Sequence, residues 1–385
     1  MVLLIISFST FAVGFIARPL GGLIFGHFGD RVGRKRTLVV ALMMMGAATT
    51  LIGLLPTYAA IGVAAPLILV LLRFVQGLAI GGQWGGAMLL VTESAPADQR
   101  GWYGAYAQAG APVGVILANL AFIGVSSSMS EEAFMDWGWR LPFIASIVLI
   151  GISMYVQLRL EDTEAFKALQ ESQDGEASDQ PIASSPVVEA IRKYPKRIML
   201  AAGAFLSVQV TFYILIAFII AYGVTAPELA LSRDTMLTAV LIAAAIMVPS
   251  QFYFSGLSDR VGRKQIYRWG AILTGLWGFA LFPLINTGEP LMIVIAVTLG
   301  LTFLGMQYGP QAAYFTELFT TEVRYSGASL GYQIGAILGG ALAPTIAVLL
   351  WNELGIFYVS VYILVAAILT LLSLSALEET KGRTL

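Results

Sequence analysis

With one histidine, His27, and no cysteine, the chain has no set for a zinc cluster, a hydrolytic triad or a disulfide. No glycine-rich loop is followed by Lys-Ser or Lys-Thr, so neither a nucleotide-driven pump nor a cofactor is implied. The runs GGQWGG, GAPVG and GAILGG read as close-packing surfaces. Chemistry is left to arginines, carboxylates, amides and aromatic rings. Arg18 lies in an apolar run eight residues before Gly26, about 12 Å along a helix at 1.5 Å per residue. A guanidinium that deep reads equally as binding a substrate carboxylate or pairing with a group on a helix upstream of this chain. Arg73 sits in another apolar run and reads equally as a snorkelling, helix-pairing or binding arginine. Gln83 and Trp84, with Gln307 and Tyr308, are further deep polar or amphipathic positions, as are Gln108, Gln209, Tyr213, Gln251 and Gln333. Each reads as either an interhelical hydrogen bond or a ligand contact.

The remaining charges gather in a decapeptide, GHFGDRVGRK (26–35), that returns as SGLSDRVGRK (255–264). Asp30 and Asp259 are 229 residues apart. Gly26 and Gly33 permit a tight reversal between two helices. Asp30 can cap a helix start or pair with an arginine, and Arg31, Arg34 and Lys35 can hold acidic partners or anionic headgroups. Position alone reads as a topogenic positive loop; the doubled Asp-Arg-x-Gly-Arg-Lys spacing, with Asp259, Arg260 and Arg263 in the second copy, points to gating. A second repeat joins Gln83, Trp84, Gly85, Thr92, Glu93 and Arg100 to Gln307, Tyr308, Gly309, Thr316, Glu317 and Arg324, displaced by 224. LEDT at 160–163 returns as LEET at 377–380. Glu93, Arg100, Glu317 and Arg324 are either surface ion pairs, worth about 0–1 kcal/mol each, or one charge network with the loops, Glu93 pairing with Arg100.

The elements that carry these residues are membrane helices. The chain is 58% hydrophobic and 12% charged, against about 25% charged in soluble domains, and its mean hydropathy is +0.81. Spans of about 20 apolar residues fall near 3–25, 37–55, 66–92, 102–125, 139–158, 198–223, 235–255, 267–286, 290–316, 325–350 and 354–377. Eighteen of the 22 lysines and arginines lie in alternate connections, which the positive-inside rule makes cytoplasmic, together with the C-terminus. Met1 then falls outside, with neither a basic leader nor a cleavage site after it. Five spans precede the central loop and six follow it, so the duplication predicts a first helix upstream of Met1. The expected organisation is an N-terminal half (1–158), a cytoplasmic central loop (159–197), a C-terminal half (198–377) and a cytoplasmic tail (378–385). The central loop has a linker's composition, with AFKALQE and VVEAIRK able to form short surface helices. A net charge of −1 with scattered basic residues implies no nucleic-acid partner.

The two DRVGRK loops and RFVQGLAIGGQWGGA (73–87) resemble the major facilitator superfamily. FIARPLGGLIFGHFGDRVGRK (15–35) and GGQWGGAMLLVTESAPADQRG (81–101) narrow the resemblance to its metabolite:proton symporters, which carry proline, glycine betaine, shikimate, 2-oxoglutarate and citrate. LEETKGRTL at the end is similar to the related sugar porters. The resemblance implies an all-α fold of two pseudo-symmetric six-helix halves, with the loop motif latching the halves in the outward-facing state. It departs from the pattern at Gln83, where many members have Glu, and at Ser255, where Gly is expected. Two parallel repeats place a site between the halves, so Gln83, Trp84, Gln307 and Tyr308, with Arg18 and Arg73, are the candidate substrate residues. No acid lies in a span centre, so a proton site falls on the upstream helix or at an end residue such as Glu93 or Asp30. The leading expectation is a monomeric proton symporter of the plasma (inner) membrane, taking up a small organic acid or zwitterion. Facilitated diffusion or drug export is the alternative within the class. A membrane-embedded enzyme would need convergent acids, bases or metal ligands that the spans lack, and a non-transporting receptor would bind without accumulating.

Overall fold

A computed structural model describes the backbone of residues 2–159 and 186–383, and their side chains except those of residues 2–12, Asp30, Arg31, Arg34, Gln157, Leu158 and Pro186. The chain is helical, with no strand among the described residues. The first long helix, α1 (Val2–Arg31), has 30 residues. Then follow α2 (Arg34–Leu54) and nine more bilayer-length helices. They are α3 (Ala64–Ser94), α4 (Arg100–Ser127), α5 (Gly138–Val156), α6 (Pro195–Thr225) and α7 (Arg233–Val261). The last four are α8 (Arg263–Ile285), α9 (Pro290–Glu317), α10 (Thr321–Leu354) and α11 (Phe357–Ala376). Each expected span meets one of these eleven helices, and the protein is a multi-pass membrane protein. VVEAIRK lies on a short helix, Pro186–Lys193; AFKALQE lies outside the described residues.

The packing repeats as the sequence does. α3 packs on α1 and α2, and α2 on α5; correspondingly α9 packs on α7 and α8, and α8 on α11. Between the two sets run a seam of α1 against α10 and its mate, α7 against α4. α6 packs on α10 and α11. The two decapeptides adopt the same turn: Gly33 has φ 120° and ψ 147°, Gly262 has φ 124° and ψ 145°. That left-handed backbone region disfavours any side chain, which gives the glycine of each motif its physical reason.

The α1–α3 crossing is the tightest part of the N-terminal set. A Cβ on Gly21 would stand 2.1 Å from the Leu78 carbonyl oxygen, and one on Gly81 would stand 2.2 Å from that of Arg18. Bilayers give apolar helices no hydrophobic drive to associate, so close backbone packing through small residues holds them. It also fixes Arg18 against α3.

Several long helices are interrupted, and two of these interruptions bear on the site. α4 stops at Gln108 and resumes at Gly110, where Pro112 lacks the N–H that would bond the Gln108 carbonyl. α10 widens into a π-type turn over Ile337–Ala341 before Pro344. Both breaks lie beside the cavity described next.

Candidate functional site

A cavity of about 100 Å³ opens where the two sets of helices meet, walled by Arg18, Gln209, Tyr213, Tyr308, Tyr332 and Phe205, among others. Arg18 comes from α1, Tyr308 from α9 and Tyr332 from α10, so both sets contribute. The guanidinium lies over the Phe15 ring, 3.7 Å from its centroid. Its Nε is buried with no hydrogen-bond partner among the described residues. A buried donor left unmade costs about 1–3 kcal/mol, more when charged. A carboxylate entering the cavity could remove that cost through a forked, charge-assisted contact. The aromatic rings offer apolar surface and hydroxyl groups for the rest of a small molecule.

Below the cavity one end of the bundle carries the charges. Asp259 accepts hydrogen bonds from the backbone N–H groups of Gly101 and Trp102, both at 2.9 Å, and pairs with Arg263. The second motif's aspartate therefore caps the first turn of α4, across the seam. Arg263, 1% exposed, also reaches Glu317 at 3.2 Å. Glu93 and Arg324 form an ion pair across the seam, at 3.1 Å.

The tail belts this end. Thr380 donates to Glu317 at 2.6 Å, Glu379 accepts from the N–H groups of Arg263 and Lys264 at 2.9 and 3.0 Å, and Arg100 donates to the Arg383 carbonyl. Glu379 thereby caps α8, whose own N-cap, Gly262, has no side chain to offer. Arg383 beside Glu378, with Arg197 nearby, holds the Glu378 carboxyl below the usual carboxylate range.

Sequence profiles and relatives agree on what this arrangement is. The profile described as Major Facilitator Superfamily matches residues 4–330. The chain belongs to the major facilitator superfamily. The transporter is 41% identical to an inner membrane metabolite transport protein of Escherichia coli K12, over 98% of this chain and 85% of that one. It is 38% identical to the shikimate transporter of the same organism, over 91% and 80% of the two chains. With the proline/betaine transporter of Salmonella typhimurium it shares 32% identity, over 99% and 76%. A solved structure, the proton:xylose symporter bound to 6-bromo-6-deoxy-D-glucose, superposes with a TM-score of 0.76 over 97% of this chain and 86% of that one. At 16% identity that likeness shows the fold. These relatives are transporters, not enzymes.

Of the six candidate substrate residues, the transporter brings Arg18 and Tyr308 to the cavity wall, where Gln209 and Tyr213, also singled out in the sequence, join them. Trp84 lies behind the wall, stacked on Tyr332 with centroids 3.9 Å apart. Gln307 turns away and donates to Thr274 on α8 at 2.8 Å, so the matched position does not line the cavity. Gln83 and Arg73 are not among the wall residues either; Arg73 donates to Gln76 at 3.2 Å. The expected pairing of Glu93 with Arg100 gives way to Glu93 with Arg324, which reaches it across the seam from the other half, while Glu317 pairs with Arg263 of its own half. Arg260 contributes its carbonyl, which accepts from Lys381. Asp30, Arg31 and Arg34 have side chains outside those described. The unforeseen member is Tyr332, whose only signal was its place 224 residues after Gln108.

Proposed function

We propose that this transporter is a proton symporter that takes up a small organic acid or zwitterion carrying a carboxylate, by rocking its two halves about the central cavity. The observation that carries this reading is Arg18, a half-buried arginine whose buried Nε has no hydrogen-bond partner among the described residues, in a tyrosine-walled cavity at the seam between the halves. The named cargoes of its relatives support it, since shikimate, proline and betaine each bear a carboxylate.

The charged end faces the cytoplasm of the plasma (inner) membrane in this reading, because it carries the basic connections. The halves divide at 1–158 and 198–377, joined by a central loop, 159–197, and followed by the tail. An anion entering against an inside-negative potential meets about 2.3 kcal/mol per charge per 100 mV. A proton moved with it cancels that cost. Glu93, Asp259 and Glu317, with Asp30, Arg31, Arg34 and Arg100, then serve as the cytoplasmic latch, and the transporter works as a monomer.

The test is uptake of labelled shikimate, proline and glycine betaine into cells expressing the transporter, with and without a protonophore. Accumulation that collapses with the protonophore is expected. Accumulation that is insensitive to it refutes proton symport, and uptake unaffected by Arg18→Gln refutes the assignment of the binding arginine.

A further inference from the structure

Two residue pairs related by the offset of 224 meet at the wall of the cavity. Trp84 on α3 corresponds to Tyr308 on α9, and Gln108 on α4 corresponds to Tyr332 on α10. All four are buried. Within the first half, Trp84 Nε1 donates to Gln108 Oε1 at 3.1 Å. Within the second, the hydroxyl oxygens of Tyr308 and Tyr332 lie 3.4 Å apart. Across the seam the Trp84 and Tyr332 rings stack, 18° from parallel, and Gln108 Nε2 donates to the Tyr308 carbonyl at 2.8 Å. The ring of contacts is closed: each member holds one neighbour in its own half and one in the other.

The four do not face the same way. Tyr308 and Tyr332 belong to the cavity wall, whereas Trp84 and Gln108 do not. A bound molecule therefore touches the second half's pair, and any displacement of those tyrosines is felt by Trp84 and Gln108. Gln108 is also the residue at which α4 breaks, with Pro112 four positions on. It thus stands at the break in the helix whose first turn Asp259 caps in the latch. One helix joins the two closures.

We infer that Trp84, Gln108, Tyr308 and Tyr332 form the inner gate of this transporter, with Gln108 the positioning residue that couples cavity occupancy to closure of the charged end. The inference rests on alternating access about this cavity, with the charged end cytoplasmic. Gln108→Leu keeps the volume and removes both hydrogen bonds. Trp84→Phe keeps a ring on Tyr332 and removes the indole donor.

The absence of native cysteine makes the test direct. Ser329→Cys places a thiol in the closed α1–α10 seam, where Ser329 packs against Gly22 and Gly85. Ala111→Cys places one on the cavity wall. The full chain, carrying one reporter at a time, is labelled with a membrane-impermeant maleimide in right-side-out and in everted vesicles.

Gln108→Leu is expected to raise labelling at position 329 from the cytoplasmic face by about tenfold, the scale of two modest hydrogen bonds. It should lower labelling at position 111 from the opposite face. Trp84→Phe should give a smaller change in the same directions, and the double variant should not exceed Gln108→Leu alone. Unchanged labelling at 329, or a rise at both reporters together, overturns the inference, the second because it signals general loosening. If Gln108→Leu does not reach the membrane, Trp84→Phe decides by the same two readouts. Labelling at 329 from the wrong face would overturn the orientation while leaving the gate's reciprocal pattern intact, so the two readings fail separately.

Discussion

Neutralising Glu93 should open the charged end of the transporter. Its carboxylate lies 3.1 Å from Arg324 Nη1, with side-chain exposures of 0% and 3%, and the two residues belong to different halves. Both charges are dehydrated only while the halves are closed there; on opening, water reaches each. Removing one partner of a buried pair costs about 3–5 kcal/mol, because the remaining charge is left uncompensated. In Glu93→Gln an amide oxygen can still accept one bond, and Arg324 Nε keeps the Phe319 carbonyl at 3.2 Å. The lower bound is therefore appropriate, about 3 kcal/mol, or a roughly 150-fold fall in the closed-to-open ratio at 1.4 kcal/mol per decade. The assay is the rate of maleimide labelling of Ser329→Cys in everted vesicles, read beside uptake. Arg324→Gln should behave alike, and the exchange Glu93→Arg with Arg324→Glu should restore part of the closure that either single reversal loses. Wild-type labelling in Glu93→Gln, or an exchange no better than its single reversals, would refute the reasoning.

Other expectations follow from the same geometry. Arg18→Lys keeps the charge but loses the planar fork, and should raise the KM for uptake about tenfold, whereas Arg18→Gln should abolish accumulation at normal expression. Asp259→Asn keeps one of the two carboxylate oxygens that accept from Gly101 and Trp102, so membrane levels should hold while the uptake rate falls; Asp30→Asn should do the same. Truncation after Leu377 removes the Thr380, Glu379 and Arg383 contacts and should raise cytoplasmic labelling of Ser329→Cys. Gly81→Val drives a side chain into the Arg18 carbonyl, and a loss of about 1–3 kcal/mol should lower the melting temperature in detergent, read by tryptophan fluorescence.

The helices and their doubling were legible in the residues because hydropathy and the repeated Asp-Arg-x-Gly-Arg-Lys spacing are local signals. Arg18 was legible because a deep arginine is costly wherever it lies. The partners were not. Glu93 meets Arg324 rather than Arg100 across the seam, and no spacing along one chain shows which half supplies an arginine. Gln307 matches Gln83 in the repeat and adjoins Tyr308, yet points to Thr274, because adjacent residues on a helix face directions about 100° apart. Tyr332 escaped notice since a tyrosine in an apolar run carries no mark; extending the offset of 224 from Gln108 would have found it. The break at Gln108 and the widened turn at Ile337–Ala341 were equally silent, since glycine and proline are common in membrane helices whether or not they bend.

The glycine-lined crossing packs α1 and α3 backbone against backbone. Arg18 rests by its own carbonyl on Gly81, and α1 runs on from it to the first charged loop. From Arg18 to Asp30 is twelve residues, about 18 Å of helix. In the proposed reading, the arginine for the substrate's charge and the first latch loop are thus two points on a single helix. A tilt of that helix by a few degrees, pivoting near the cavity, moves the loop by an ångström or more while barely shifting the guanidinium. In that reading, cargo can stay bound while the door beneath it swings.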